Sequence, residues 1–185
     1  MGCFKTGAMP FELSFQPVVE SALPLLSRIA SETFADTFRH YEEEDISHYL
    51  SQSLSSQALG AELQDPANHF YFVVVDGEKA GYLKWISPTD KYLEHVEVDW
   101  KAPLLLERFY FLPAFCGKGL GPVALAFVEC YARHQARADV LYLSVWDRNY
   151  RAQSFYQKHG FRTLGSFDYP VGQEIDHELL YYKRL

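Results

Sequence analysis

The first residues in this chain that could do chemistry are three glycines set just after an apolar run. Leu104–Leu112 leads into Pro113-Ala114-Phe115-Cys116-Gly117-Lys118-Gly119-Leu120-Gly121-Pro122, and a helical pattern follows. Gly117, Gly119 and Gly121 remove side chains where a backbone needs a positive φ or close approach to a ligand. The first amides of the next helix have no partner inside it, and the helix dipole favours an anion there. Lys118 adds a positive charge. Together these residues describe a pyrophosphate cradle, and a tight turn without a ligand is the other reading of the same run. The loop has neither the Gly-Lys-Ser/Thr ending of a P-loop nor a GxGxxG fingerprint at a first βα turn.

Other candidates are sparser. No His, Cys or Asp cluster has metal-ligand spacing, and no serine nucleophile elbow is present. Cys3, Cys116 and Cys130 are odd in number and lack ligand or redox spacing, so they read as free thiols in a reducing cytosol. His95 lies in an acidic stretch and reads as a solvated residue rather than a catalytic one. Three acidic groups could hold a polycation: Glu42-Glu43-Glu44-Asp45, Glu94/Glu97/Asp99 and Asp168/Glu174/Asp176/Glu178. Solvated faces are the plainer reading, and the first group also suits a helix N-terminus.

These residues need elements to position them. Phe11–Val18 alternates weakly as a first strand, and Glu20–Phe38 has helical spacing with Pro24 in its first turn. Glu43–Leu54 and Ser55–Leu63 read as two further helices, ended by Asp65-Pro66. His69–Asp76 and Lys79–Ser87 are strand-like runs joined by Asp76-Gly77, a hairpin signal. Pro88–Lys101 is a polar connection, Pro103–Leu112 a strand, and Gly119–Arg137 an amphipathic helix. Val140–Trp146 is a buried strand, Tyr150–His159 a helix stopped by Gly160, and Phe161–Tyr169 with Ile175–Lys183 a closing pair around Pro170-Val171-Gly172. The alternation predicts one α/β domain with a mixed sheet over residues 11–185, after a disordered start at residues 1–10.

Composition narrows the function. At 185 residues and 48% apolar content the chain can bury a core without disulfides or metal. No apolar run reaches the ~18 residues needed to cross a bilayer. A net charge of −7 argues against general nucleic-acid binding and leaves room for a cationic substrate. Met1-Gly2-Cys3-Phe4-Lys5-Thr6 fits a loose acylation pattern, but there is no secretory signal, and a cytoplasmic protein is expected. Aromatic residues make up 16% of the chain, enough to line a pocket as well as a core.

The glycine loop does not stand alone. After the next strand comes Asn149-x-x-Ala152-x-x-Phe155-Tyr156-x-x-x-Gly160-Phe161. Together, the two segments resemble the GCN5-related N-acetyltransferase (GNAT) superfamily over about residues 69–185. Its coenzyme-A loop pattern, Gln/Arg-x-x-Gly-x-Gly/Ala, reads here as Cys116-x-x-Gly119-x-Gly121. More narrowly, the chain is similar to PaiA-type polyamine N-acetyltransferases. That match rests on Thr33–Phe38, Tyr71-Phe72, Gly81-Tyr82-Leu83-Lys84, Arg108–Leu112, Ser144–Asn149 and Gly165…Gly172…Asp176. Cys116 stands where a Gln or Arg is usual, Pro122 cannot donate an amide, and Glu174 replaces a frequent Gln.

The resemblance implies a single domain with a mixed, mostly antiparallel sheet of about seven strands flanked by helices. It also implies a V-shaped splay between the fourth and fifth strands. Acetyl-CoA is then the co-substrate and no metal is needed. Phe111, Leu112 and Asn149 would contact the pantetheine arm, and Cys116, Gly117, Lys118, Gly119, Leu120, Gly121 and Pro122 would form the phosphate loop. Tyr156 would be the general acid beside the cofactor, a role that the Asn149/Phe155-Tyr156/Gly160 context favours over a plain core position. Glu107 could take the amine's proton through a water, or simply pair with Arg108, which is the favoured reading. The acceptor expected is a small-molecule amine, best a polyamine, acetylated directly in a ternary complex. Alternatives are a protein N-terminus or lysine, and a non-catalytic acetyl-CoA sensor. The helices of Glu20–Leu63 would cap the site against a peptide. Neither nucleic acid nor membrane is an expected partner, and a homodimer is left open.

Overall fold

Strand pairing begins where the alternating pattern is weakest. In the computed structural model, residues 10–39, 41–171 and 174–185 are described. β1 (Leu13–Pro17) pairs antiparallel with β2 (Asn68–Val75), Leu13 opposite Val75 and Pro17 opposite Tyr71. β2 turns into β3 (Glu78–Ile86) through Asp76 and Gly77, whose φ values of 49° and 84° make the two-residue turn that matches strand twist. The sheet continues with β4 (Pro103–Phe111), β5 (Val140–Trp146), β6 (Arg162–Val171) and β7 (Glu174–Arg184), in the order β1-β2-β3-β4-β5-β7-β6.

β4 and β5 pair parallel, in a register that runs from Pro103 opposite Val140 to Leu105 opposite Tyr142. Both strands continue past that point, and β5 goes on pairing with β7 as far as Trp146 opposite Glu178. An early end to the parallel ladder is consistent with the expected splay. β6 and β7 close the sheet antiparallel, with an irregularity between Thr163 and Gly165.

The chain packs as two compact units that share the length of β4 and of a helix, α4 (Leu120–His134). The first comprises residues up to Trp85 together with Arg108–Ala124. Its helices are α1 (Leu23–Thr37), α2 (Glu43–Ser53) and α3 (Ser56–Gln64). Leu23, Leu26, Ile29 and Ala30 recur at helical spacing on α1 and pack with Leu54, Leu59, Phe70, Phe72, Val74 and Tyr82. Ser55 caps α3 by accepting from the Ala58 amide at 3.2 Å. Glu43, Glu44 and Asp45 occupy the first turn of α2, where the dipole favours them.

The second unit comprises Ile86–Glu107 and Leu125–Leu185, with α5 over Tyr150–Lys158. Leu105, Val140 and Tyr142 form one of its buried clusters, and Ile86, Tyr92, Leu93, Trp100 and Tyr182 pack against them. The Tyr142 hydroxyl donates to the carbonyl of Thr89 at 3.2 Å or of Lys91 at 2.9 Å. Either bond fastens the 88–101 connection over one face of the β5–β7–β6 strands.

The structure moves some expected boundaries. A 3-10 turn at Glu20–Ala22 precedes α1, because the chain must turn before Pro24 can take a helix's first turn. The connection holds a 3-10 turn at Leu93–His95, and α4 begins at Leu120, after the positive φ of Gly119. The acylation pattern, Cys3 and nearly all of the start at residues 1–10 lie outside the described residues, as does Gly172. Among the described residues, no helix is long and apolar enough to cross a membrane.

Candidate active site

The glycine loop has the backbone its composition requires. Gly117 and Gly119 both have φ of 76°, while Lys118 between them does not have a positive φ. Alternating signs of φ turn successive amides toward one concavity, an arrangement that binds anions. A Cβ added at either glycine would meet nothing within 4 Å, so conformation rather than internal crowding selects glycine there. Upstream, the Phe115 amide donates to the Leu112 carbonyl at 2.8 Å and the Cys116 amide to the Pro113 carbonyl at 3.2 Å. The amides that precede and open α4 begin after that turn. Pro122 is the third residue of α4, where its missing amide costs the helix nothing and removes one donor from the helix start.

Two other loop side chains are placed locally. The exposed Cys116 thiol lies 3.7 Å from the Phe111 carbonyl oxygen, and Lys118 Nζ stands 5.0 Å above the Phe115 ring. Phe111 and Leu120 pack with Val75, Ala80, Leu13 and Phe115, so the strand and the helix start are held by one small core. The Leu112 amide donates to the Ala80 carbonyl at 2.9 Å. Gly81 explains how closely β3 and β4 approach: a Cβ there would fall 2.2 Å from the Tyr110 carbonyl oxygen.

Behind this strand lies a charge cluster that sequence reasoning missed. Glu62 of α3 accepts from Lys84 Nζ at 2.6 Å and from both Arg108 terminal nitrogens at 2.8 and 3.0 Å. Lys84 is 3% exposed, and its Nζ and the Arg108 guanidinium stand 5.4 and 5.9 Å from the Phe70 ring. The signal was there: a lysine inside the apolar run Gly81–Trp85 demands a buried counter-charge. Nearby Tyr82 is buried, which pushes its phenol well above the ordinary range.

In the second unit, Glu107 does not take the partner favoured from sequence. It pairs with Lys91 of the connection, whereas Arg108 pairs with Glu62. Neighbouring residues of a strand point to opposite faces, so Glu107 and Arg108 are presented to different elements. Burial works against the Lys91 charge, but the Glu107 carboxylate outweighs it and holds the ammonium above its usual pKa.

The acidic group at the end of the chain is likewise split by strand alternation. Asp168 faces His177, Nδ1 to Oδ1 2.8 Å, in an exposed pair that raises the imidazole pKa. Asp176 and Glu178 share the other face of β7, and Asp176 is buried. Phe167 lies opposite Glu178 on β6, with the rings of Tyr92 and His95 stacked on it at 4.9 and 4.7 Å. His95 is therefore packed on an aromatic ring instead of fully solvated.

Asn149 and Tyr156 belong to α5. Asn149 caps that helix, its Oδ1 accepting from the Ala152 amide at 3.1 Å. Tyr156 is buried, its ring edge-on to Phe155 and Phe161 at 5.2 and 5.4 Å. Among the described residues, no group of three or more His, Cys, Asp or Glu could hold a metal.

Residues 24–161 match the model of the acetyltransferase (GNAT) family. The chain belongs to that family. It is an N-acetyltransferase, 35% identical over 169 residues to an uncharacterised N-acetyltransferase from the pepI 3' region of Lactobacillus delbrueckii subsp. lactis, covering 91% of this chain and 95% of the relative. The spermine/spermidine N(1)-acetyltransferase of Bacillus subtilis is 26% identical over 107 residues, 58% of this chain and 70% of that protein. The fold of this GNAT protein is like that of the PaiA N-acetyltransferase of Thermoplasma acidophilum in complex with coenzyme A. That structure has a TM-score of 0.73 at 20% identity, covering 94% of this chain and 99% of the other. A spermidine N-acetyltransferase SpeG variant from Vibrio cholerae has a TM-score of 0.64 at 15% identity, covering 93% of each chain.

Proposed function

We propose that this GNAT protein moves the acetyl group of acetyl-CoA directly to a primary amine of a small molecule, best a polyamine. Bound acetyl-CoA would supply the acetyl group as an activated thioester. The alternating φ of Gly117 and Gly119 supports a pyrophosphate site on the Gly117–Gly121 amides, with Lys118 adding charge. Phe111 and Leu112 are proposed to hold the pantetheine arm. Because the Leu112 amide is committed to Ala80, Leu112 contributes through its side chain or carbonyl. Asn149 spends its oxygen on the α5 cap, which leaves the Nδ2 group as the donor toward that arm. Tyr156 is proposed to hold the proton that the departing sulfur takes.

The observation that carries the choice of acceptor is the acidic face of the second unit. Glu107, Asp176 and Glu178 bring three carboxyls to it against the one Lys91 ammonium. Such a surface favours a small cation through charge. The Bacillus subtilis relative, whose name specifies spermine and spermidine, supports the same choice. The test is a panel of polyamines, other small amines, peptide N-termini and lysine side chains, each incubated with acetyl-CoA while free thiol release is followed. Polyamines should give the highest kcat/KM. Preferential turnover of peptides would replace the acceptor, and calorimetric binding of acetyl-CoA without turnover of any amine would refute the proposal.

A further inference from the structure

Acetyl transfer to an amine that is an ammonium at neutral pH needs a group to take its proton, since such amines have pKa values near ~10. The sequence offers Glu107 for that role, and the structure sets a second carboxyl on the same sheet face. Leu105 lies opposite Tyr142 in the parallel register, so Glu107, two residues on, shares the Tyr142 face. Ser144 and Trp146 follow on that face of β5, and Glu178 lies directly opposite Trp146 on β7. Ser144 therefore stands on the strand between those carrying Glu107 and Glu178.

The two carboxyls differ in what meets them. Glu107 is engaged by the Lys91 ammonium, and accepting a proton would cost it that attraction. Glu178 is hydrogen-bonded to Ser144, with Asp176 and His177 beside it on β7 and Asp147 after the end of β5. From β6 it meets Phe167, on which Tyr92 and His95 of the connection are stacked. Burial, reinforced by the Asp176 and Asp147 charges, lifts Glu178 to about 7, against the Ser144 hydrogen bond and the His177 charge. A carboxyl lifted toward neutral pH is suited to exchanging protons, whereas one locked in an ion pair is not.

We infer that Glu178, aligned by Ser144, is the general base of the reaction, while Glu107 is committed to its ion pair with Lys91. The inference rests on the acetyl-transfer reading above. Glu178 takes one proton from the ammonium, and the freed nitrogen lone pair forms the bond to the acetyl carbon. The carbon–sulfur bond then breaks, the sulfur takes the Tyr156 proton, and the second proton lost by nitrogen restores Tyr156. The proton on Glu178 passes to solvent, so each turnover releases one proton with one amide and one thiol.

The test compares wild-type protein with Glu178→Gln and Glu178→Asp in kcat/KM for the best amine between pH 5.5 and 9. Calorimetric affinity for acetyl-CoA and urea midpoints are measured alongside. Wild-type kcat/KM should rise with unit slope to a bend near pH 7. Glu178→Gln should lose that limb and at least about 100-fold in kcat at pH 7.5, with acetyl-CoA affinity within twofold. Glu178→Asp, which keeps a carboxyl, should recover part of the rate and retain a limb. Folding provides a separate check: a raised carboxyl pKa costs stability as pH climbs from the ordinary glutamate range to 7, so Glu178→Gln should be the more stable protein at pH 8. A Gln variant that keeps the limb and a rate within threefold overturns the inference and leaves acetyl transfer standing. A wild-type protein that turns over no amine overturns both.

Discussion

Gly119 offers the most direct test of the phosphate loop, because conformation and charge can be separated there. Its φ of 76° costs an ordinary residue about 1–2 kcal/mol, but Asn and Asp enter this region more readily than most. Nothing in the protein lies within 4 Å of the position a Cβ would take, so neither side chain meets internal crowding. Gly119→Asn and Gly119→Asp therefore have similar strain and nearly equal size, and differ by one negative charge. A carboxylate about 5 Å from a doubly charged pyrophosphate, at an effective dielectric between about 40 and 80 and at physiological salt, is repelled by about 1–2 kcal/mol. That is roughly a 5- to 30-fold loss of affinity for acetyl-CoA beyond the Asn variant. The assay is calorimetric titration at low and high salt, where the gap between the variants should shrink as salt rises. Gly77, also at positive φ with open space around it, is the control: Gly77→Asn should lower stability without touching acetyl-CoA affinity. Equal affinity of both Gly119 variants, each matching wild type, would mean the loop is a turn and would remove the phosphate assignment.

Three further outcomes are expected from other parts of the molecule. Tyr156→Phe should lower kcat about 10- to 100-fold with acetyl-CoA affinity unchanged; an unaltered kcat with chemistry shown to be limiting assigns Tyr156 to the core alone. Glu62→Gln should destabilise the fold by about 2–3 kcal/mol, read as a urea midpoint, because it strips the counter-charge from buried Lys84; the quarter exposure of Glu62 keeps the loss below that of a fully buried pair. A change under about 0.5 kcal/mol would show that solvent or other partners already satisfy the lysine. Lys91→Met should raise KM or lower kcat by altering Glu107, and should leave the bend near pH 7 in place, since that bend belongs to Glu178.

The elements and the loop were legible for different reasons. Periodicity gave nearly every strand and helix because each buries one face, as Leu23, Leu26, Ile29 and Ala30 do on α1. The glycine loop and its positive-φ backbone were legible because their signal is local: glycines, a lysine and a helix start within five residues. Side-chain partnerships were not, since they depend on register and on what crosses each face. The expected Glu107–Arg108 pair failed on strand alternation, and Asp168 parted from Asp176 and Glu178 in the same way. The buried Lys84 was legible as a problem but not in its solution, for Glu62 lies on a helix whose packing the sequence does not specify.

The connection between β3 and β4 is where these lines meet. From sequence it is a polar, acidic stretch with no assigned task, yet the Tyr142 hydroxyl, donating to the carbonyl of Lys91 or Thr89, ties it down over the β5–β7 face. Once fixed there, it brings Lys91 to Glu107 and stacks Tyr92 and His95 on the ring opposite Glu178. One segment thus gives one carboxyl a cation and helps enclose the other among rings and like charges. Two carboxyls that are chemically equivalent in the sequence meet different surroundings: an ammonium at Glu107, and at Glu178 burial with neighbouring carboxylates that raise its pKa. If the Tyr142 anchor is what separates them, Tyr142→Phe, which loses only the hydroxyl, should loosen the connection, admit water to Glu178 and move the bend in kcat/KM below 7 toward the ordinary carboxyl range. A bend that stays at about 7 in Tyr142→Phe would place the cause in the strands themselves, with Asp176 and Asp147, and not in the segment that covers them.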